Sequence, residues 1–312
     1  MLLNPEKFIL RTPAKINLTL EVVGRCDNGY HELRSVLVPV SLYDTLTFEP
    51  IPQGIEWKLA NASDLDAQGW DLGRTEDNLI IRAAQAFQKV VPLPFGVRIH
   101  LEKHIPVGGG LGGGSADAAA VLIGLNRLAG NKLPLNELMS AGFKLGCDIP
   151  ALVHGGLVCM EGMGDRVTAL PVAAPPWRVV IVNPGFPVAT GDIYRRYRSP
   201  LTSDGSIYKN IVSALEKKDL SQAGRSLFNA LERSAFRKYP LLNMIVARMR
   251  EAGAEGALLS GSGASVFGLV RDEAMGRKVL ESVGGYLGCP VWGRVVQLLP
   301  DGVMVAHGPL EA

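Results

Sequence analysis

The stretch Pro106-Val107-Gly108-Gly109-Gly110-Leu111-Gly112-Gly113-Gly114-Ser115-Ala116-Asp117 holds six glycines and runs into an alanine-rich apolar segment. Glycine lacks a Cβ, so its backbone can turn sharply and approach a ligand closely. A helix start offers unpaired N–H groups and a partial positive charge. Together these features predict a phosphate cradle. Ordering so many glycines opposes folding entropically, which argues for a bound ligand over an idle surface loop.

The type of phosphate site is narrowed by what surrounds the loop. Gly108-x-Gly110-x-x-Gly113 fits a dinucleotide fingerprint, after a strand pattern at Val97–Glu102 and before a helix. That fingerprint also requires a second strand ending in an acidic residue about 20 residues on. Here that region reads Leu128-Ala129-Gly130-Asn131-Lys132 and leads into another helix. No Gly-Lys pair occurs anywhere, so the Walker pattern is absent, and so are the protein-kinase motifs.

Other residues could add chemistry. Lys15 and Asn17 interrupt an apolar strand pattern, as a solvated face or as a functional pair. Asp148 lies between a helix end and Pro150, as a turn former or an acid–base group. Tyr30 and His31 follow a glycine turn, as a half-buried aromatic with a surface His or as ligand contacts. Ser260-Gly261-Ser262-Gly263 is either a plain hairpin turn or a small-residue wall beside the phosphate site. His100 and His104 have no third ligand nearby, so they read as structural and no metal site is predicted. Ser115 lacks a nucleophile-elbow context.

The elements that must position these residues mix strands and helices without regular alternation, which favours α+β. Alternation predicts strand over Phe8–Val23, interrupted at Pro13–Asn17, and strands at Leu33–Leu42 and Thr45–Phe48. Gly54–Leu72 reads as a strand plus a surface loop. A helix is expected from Leu79 with Asp77 as N-cap, and others over Asp117–Leu128 and Pro134–Leu145. Leu157–Met160 and Val167–Leu170 read as a hairpin. Beyond a proline-rich junction at Pro171–Pro176 come a strand at Trp177–Val182 and helical patterns from Ile193, Leu227 and Leu241. Strands then flank the Ser-Gly-Ser-Gly loop, and a helix over Glu273–Val283 and a strand over Val295–Leu299 follow. Two units, 1–172 and 173–312, are expected for a chain of 312 residues.

Bulk properties exclude several roles. Apolar residues make up 47%, charged residues 20%, and the net charge is +2 without a Lys/Arg run. Neither nucleic acid nor a membrane is therefore an expected partner. No uncharged apolar run approaches a membrane span. Cys26, Cys147, Cys159 and Cys289 form no C-x-x-C pair and read as free thiols of a reducing compartment. Met1–Leu10 carries Asn4, Pro5, Glu6 and Lys7 and lacks the apolar core of a signal peptide, so a cytoplasmic location is expected.

These motifs, taken in order, resemble the GHMP kinases. Pro13-Ala14-Lys15-Ile16-Asn17-Leu18 is similar to that superfamily's first motif, Pro106–Ala116 to its phosphate loop, and Leu259–Ala264 to its third motif. Asp27-Asn28-Gly29-Tyr30-His31, Glu76-Asp77-Asn78-Leu79-Ile80 and Gly146-Cys147-Asp148-Ile149-Pro150 narrow the resemblance further. They resemble the branch that phosphorylates the 2-hydroxyl of a cytidine-diphosphate-linked methylerythritol. The resemblance implies a two-lobed α+β fold, with an N-terminal lobe like domain 2 of ribosomal protein S5 and a C-terminal ferredoxin-like lobe. It implies ATP as co-substrate, Mg²⁺ carried with ATP, the cytidyl compound as small-molecule substrate, and a monomer or weak homodimer.

Residue roles are carried over as implications of the same resemblance. Asp148 would accept or orient the hydroxyl proton, and Lys15 would offset charge on the attacked phosphate. Pro106, Gly108, Gly109, Gly110, Leu111, Gly112, Gly113, Gly114 and Ser115 would hold the ATP phosphates, with Asn78 and Lys103 near the adenosine. Tyr30 and Tyr194 would sandwich cytosine, His31 would bond its edge, and Asn17 and Thr190 would hold the substrate. Two residues depart from the family pattern. Ala116 replaces the second serine of the loop, and Asn229-Ala230-Leu231-Glu232 replaces an Asn-Asp-x-Glu helix motif to which no role is assigned. The resemblance also leaves two other readings: a homoserine- or mevalonate-type kinase, or a non-catalytic nucleotide-binding regulator.

Overall fold

The computed structural model describes residues 6–27, 29–61, 78–198, 200–202, 204–289 and 291–305. Asn28 of the predicted turn, the Asp77 cap and residues 62–72 of the predicted loop lie outside them. The first sheet is built on β1 (Phe8–Arg25) and β2 (His31–Ile51), two long antiparallel strands. Neither breaks where the residue pattern predicts. β1 runs through Pro13–Asn17 and absorbs the proline in register shifts at Pro13/Ala14, Asn17/Thr19 and Val22/Gly24. Thr12 to Val22 are all buried, so both faces are covered and alternation is lost.

β3 (Ile55–Asn61) pairs parallel with β4 (Gly96–Glu102), and β4 pairs with β2. The hairpin β5 (Val158–Gly162) and β6 (Arg166–Ala169) joins β2 through β5. Helix α1 (Leu79–Val90) is capped by Asn78, whose Oδ1 accepts the Ile80 N–H at 2.9 Å. Helix α2 (Gly113–Leu128) begins within the glycine loop, earlier than the Asp117 expected, because Gly112 takes the left-handed conformation as its N-cap. It packs close to the sheet: a Cβ at Gly124 would lie 2.5 Å from the Phe48 ring. Helices α3 (Leu135–Phe143) and α4 (Ile149–His154) follow.

A second, antiparallel sheet has the order β11 (Trp292–Gln297), β7 (Arg178–Asn183), β10 (Val266–Val270) and β9 (Gly256–Leu259). Helices α5 (Thr190–Arg195), α6 (Ser206–Glu216), α7 (Leu220–Ser226), α8 (Glu232–Lys238), α9 (Pro240–Glu251) and α10 (Glu273–Leu287) accompany it. Leu242, Ile245, Met249, Val279 and Val283 share a core with Val180, Val182, Leu259 and Val266 of this sheet. The helical pattern expected from Leu227 is instead a two-residue strand, β8 (Phe228–Asn229), before α8. β8 lies parallel to β1, and β12 (Met304–Val305) adds to its other part, so the later chain returns to the first sheet. The four cysteines are free thiols.

One buried ion cluster ties the first sheet to the glycine loop. Lys103, just past β4, places Nζ on Asp44 Oδ2 of β2 and at 2.8 Å from Asp117 Oδ2 of α2. Asp44 Oδ1 also accepts the N–H groups of His104 and Ile105 at 2.7 and 2.9 Å. All three side chains are buried. Burial acts to lower the Lys103 amine, but the Asp117 and Asp44 carboxylates outweigh it and hold it above its usual range. Burial pushes the Asp117 carboxyl upward against the pull of Lys103. Removing the ammonium strands two buried carboxylates, which costs about 3–5 kcal/mol in comparable pairs. Lys103→Met is expected to lower the unfolding free energy by about that much in urea denaturation at neutral pH. A variant with the wild-type midpoint would contradict the structural role of the cluster.

Candidate active site

Lys15 and Asn17 sit two residues apart on β1, so their side chains share one face of the strand. The solvated-face alternative for the pair does not hold, because both are buried. Lys15 Nζ lies 2.8 Å from Asn17 Oδ1 and 3.3 Å from Asp148 Oδ2. Asn17 Nδ2 donates to Ser35 Oγ at 2.8 Å, and Ser35 Oγ donates to the Thr19 carbonyl at 2.6 Å. Asp148 immediately precedes α4 and caps it without a side-chain bond. Its carboxylate stays 30% exposed while the Lys15 side chain is 4% exposed, so the acid faces the open side of the pair.

The glycine loop is locked against this strand. The Lys15 N–H donates to the Leu111 carbonyl at 2.9 Å. Gly108, Gly110 and Gly112 take φ of 64°, 76° and 72°. A Cβ at Gly110 would meet the Ser260 carbonyl at 2.1 Å, so the loop can lie where it does only without a side chain there. The loop's carbonyls are already bonded: Val188 N–H donates to Gly108, Ser265 N–H to Gly109, and Ser260 Oγ to Gly110. Its amide side is left to α2, whose first-turn N–H groups at Gly113, Gly114 and Ser115 have no intrahelical acceptor.

Asn229, the motif residue left without a role, holds the opposing loop. Its Nδ2 donates to the carbonyls of Leu259 and Gly261 at 2.9 and 2.7 Å, and its Oδ1 accepts the Leu231 N–H at 2.9 Å. Glu232 Oε1 accepts the Leu259 N–H at 3.0 Å. Because β8 pairs with β1 at Leu20, this clamp joins the Ser260–Gly263 loop to the strand carrying Lys15. The two carbonyls it holds lie 30 and 32 residues away in sequence, a link that only a fold can reveal.

A cavity of about 700 Å³ opens between these parts. It is lined by Lys15, Asn17, Tyr30, His31, Pro106, Gly108, Gly109, Gly110, Gly112, Gly113, Gly114, Ser115, Asp148, Thr190 and Tyr194 of the expected site. Three expected residues do not line it. Leu111 is fully buried and contributes its carbonyl to β1. Asn78 caps α1, and its neighbour Leu79 lines the cavity in its place. Lys103 is turned into the ion cluster below α2 and acts on the loop through packing, with Ile105 and Lys103 Nζ 2.9 Å from where a Gly113 Cβ would sit. Leu20, Leu33, Met160, Met163 and Arg195 line it without having been singled out by pattern, while Gly261 and Ser262 bring the small-residue loop to its wall.

At one end His31 tilts against Tyr194 and stands edge-on to Tyr197, each with ring centroids 5.5 Å apart. Among the described residues His31 Nε2 is buried without a hydrogen-bond partner, a position that calls for a ligand or water. Burial, reinforced by Arg25, holds the imidazole below its usual range and hence neutral at pH 7, able to donate at one nitrogen and accept at the other. Burial, then Asp148, pushes the Tyr194 phenol far above its usual range. Thr190 Oγ1 lies 2.8 Å from Ser262 Oγ. Among the described residues no cluster of three or more His, Cys, Asp or Glu side chains could hold a metal ion.

Comparisons with known proteins point to one family. Residues 78–156 match the GHMP kinases N terminal domain and residues 211–287 the GHMP kinases C terminal domain. The 4-diphosphocytidyl-2-C-methyl-D-erythritol kinase of Symbiobacterium thermophilum is 40% identical over 275 residues, 86% of this chain and 93% of that protein. The kinase of the same name from Pelotomaculum thermopropionicum is 38% identical over 85% of this chain and 90% of its own length. A crystal structure of 4-(cytidine 5'-diphospho)-2C-methyl-D-erythritol kinase superposes with a TM-score of 0.75 at 33% identity, covering 94% of this chain and 99% of that one. A homoserine kinase from Cytophaga hutchinsonii gives a TM-score of 0.76 at 21% identity over 96% of this chain and 97% of its own, a likeness of fold alone. With a shared two-sheet α+β fold and this degree of identity over nearly whole chains, the protein belongs to the 4-diphosphocytidyl-2-C-methyl-D-erythritol kinase family of GHMP kinases.

Proposed function

We propose that this chain transfers the γ-phosphoryl group of ATP to the 2-hydroxyl of 4-diphosphocytidyl-2-C-methyl-D-erythritol, a step of non-mevalonate isoprenoid precursor synthesis. The observation that carries the reading is the Lys15–Asp148 pair facing the same cavity as the helix start of α2 and the His31–Tyr194 cluster. Phosphoryl transfer needs little covalent help from a protein; positioning and charge stabilisation supply most of the acceleration. In this reading the α2 amides at Gly113, Gly114 and Ser115 receive the ATP phosphates. The Asp148 carboxylate takes the proton of the 2-hydroxyl as its oxygen bonds to the γ-phosphorus. The bond from that phosphorus to the β–γ bridging oxygen breaks and ADP departs. Lys15 faces the charge that builds on the transferred group. Mg²⁺ carried with ATP would neutralise phosphate charge, while Lys15 and the α2 amides would orient the phosphates.

Tyr30, His31 and Tyr194 supply the choice of substrate. Neutral His31, with a free buried Nε2, suits the donor–acceptor edge of a pyrimidine, and the flanking tyrosines suit its faces. A homoserine- or mevalonate-type site has no use for such a cluster. A regulator without catalysis has no use for a carboxylate beside Lys15.

Asp148→Asn is expected to retain ATP binding while lowering kcat by at least ~10²-fold, the low end for a positioned base. Near-wild-type turnover would remove Asp148 from this role. Asn229→Ala leaves the Leu259 and Gly261 carbonyls without their donor, and is expected to lower the unfolding free energy by about 1–3 kcal/mol together with kcat. Unchanged thermal unfolding and unchanged kcat would show that the clamp does not matter.

A further inference from the structure

We infer that Arg195 is the cation that holds the diphosphate of the cytidyl substrate, so that the site selects a cytidine diphosphate ester over a monophosphate. The inference rests on the function proposed above and names a residue that the motifs did not reveal.

Charge in the cavity is sparse. Among the described lining residues, Lys15, Asp148 and Arg195 carry a full charge, with His31 neutral. The Lys15 ammonium is already compensated by Asp148 and Asn17. The α2 start is committed to the ATP phosphates. A second diphosphate joins the base at the His31–Tyr194 end to the polyol at the Lys15–Asp148 pair, and it needs its own cation. Arg195 directly follows Tyr194 on α5 and lines the same cavity.

Its guanidinium is only loosely engaged. Arg195 Nη2 lies 3.5 Å from Asp192 Oδ1. Asp192 Oδ2 is held far more closely by Lys238 Nζ at 2.6 Å and by Arg196 Nε at 3.0 Å. Lys238 and Arg196 are also the main reason that the Asp192 carboxyl is held down to about 2. Asp192 thus has its charge matched without Arg195. The guanidinium folds back along the helix, with Nη1 at 3.6 Å from where a Gly191 Cβ would stand, and Gly191 too lines the cavity. A planar fork of N–H donors suits two phosphate oxygens better than a point charge does.

The test is calorimetric binding of CDP and CMP to the full chain, without ATP. Wild-type protein is expected to bind CDP about tenfold or more tightly than CMP, the value of a charge-assisted bond. Arg195→Ala should bring the two affinities to within about twofold by weakening CDP alone, and Arg195→Lys should restore part of the difference. Lys217→Ala, which removes an exposed cation outside the cavity, should keep the wild-type ratio. If wild-type protein binds CDP and Arg195→Ala keeps the preference over CMP, the inference falls and the proposed function stands. If wild-type protein binds neither nucleotide, both fall.

Discussion

A buried ammonium cannot stay in a protein uncompensated: removing such an ion from water costs several kcal/mol unless nearby groups replace the solvent. Lys15 is 3% exposed, and its compensation comes from Asn17 on its own strand and Asp148 at the start of α4. That requirement accounts for much of the architecture around it. β1 must run unbroken through Pro13–Asn17 so that Lys15 and Asn17 share a face, and bulges accommodate the proline without ending the strand. Helix α4 must begin where Asp148, just before it, can reach across to β1. The glycine loop must pass close enough for Leu111 to accept the Lys15 N–H, which leaves no room for a side chain at Gly112, where a Cβ would stand 2.9 Å from Lys15 Cγ.

The same economy governs the phosphate loop. Its carbonyls are spent on Val188, Ser260 and Ser265, so the polar groups left to a ligand are amides at the start of α2. Asn229 fixes the opposing loop by satisfying two carbonyls at once, and Lys103 fixes α2 from beneath through Asp117 and Asp44. None of these groups need touch a substrate. Each removes freedom from one that does, and a reaction governed by positioning gains most from such restraint.

The glycine run before a helix was legible as a phosphate cradle from its local chemistry, whereas Lys15, Asp148, Tyr30 and His31 each read two ways from the residues alone, and Thr190 and Tyr194 stood out only through the family resemblance. The strand breaks were misread because β1 is buried on both faces, and alternation reports a strand only when one face is wet. The start of α2 was misread because glycines do not look helical; Gly112 caps the helix by its left-handed backbone, which sequence does not display. Lys103 was expected near the adenosine through the family resemblance alone, and nothing near it in the chain announces Asp44 and Asp117 as its partners. Asn229 was silent for the opposite reason: it bonds to backbone carbonyls, which every residue carries. Arg195 was hidden because whether an arginine is free or spent depends on the other cations that surround its neighbouring acid.

The central claim is that the Lys15–Asp148 pair and the His31–Tyr194 cluster serve one reaction on one substrate. It is tested most directly by ADP formation from ATP, with 4-diphosphocytidyl-2-C-methyl-D-erythritol, mevalonate and homoserine offered in parallel to the same protein. The account predicts ADP release with the cytidyl substrate and background release with the other two. Turnover of mevalonate or homoserine without turnover of the cytidyl compound would contradict it.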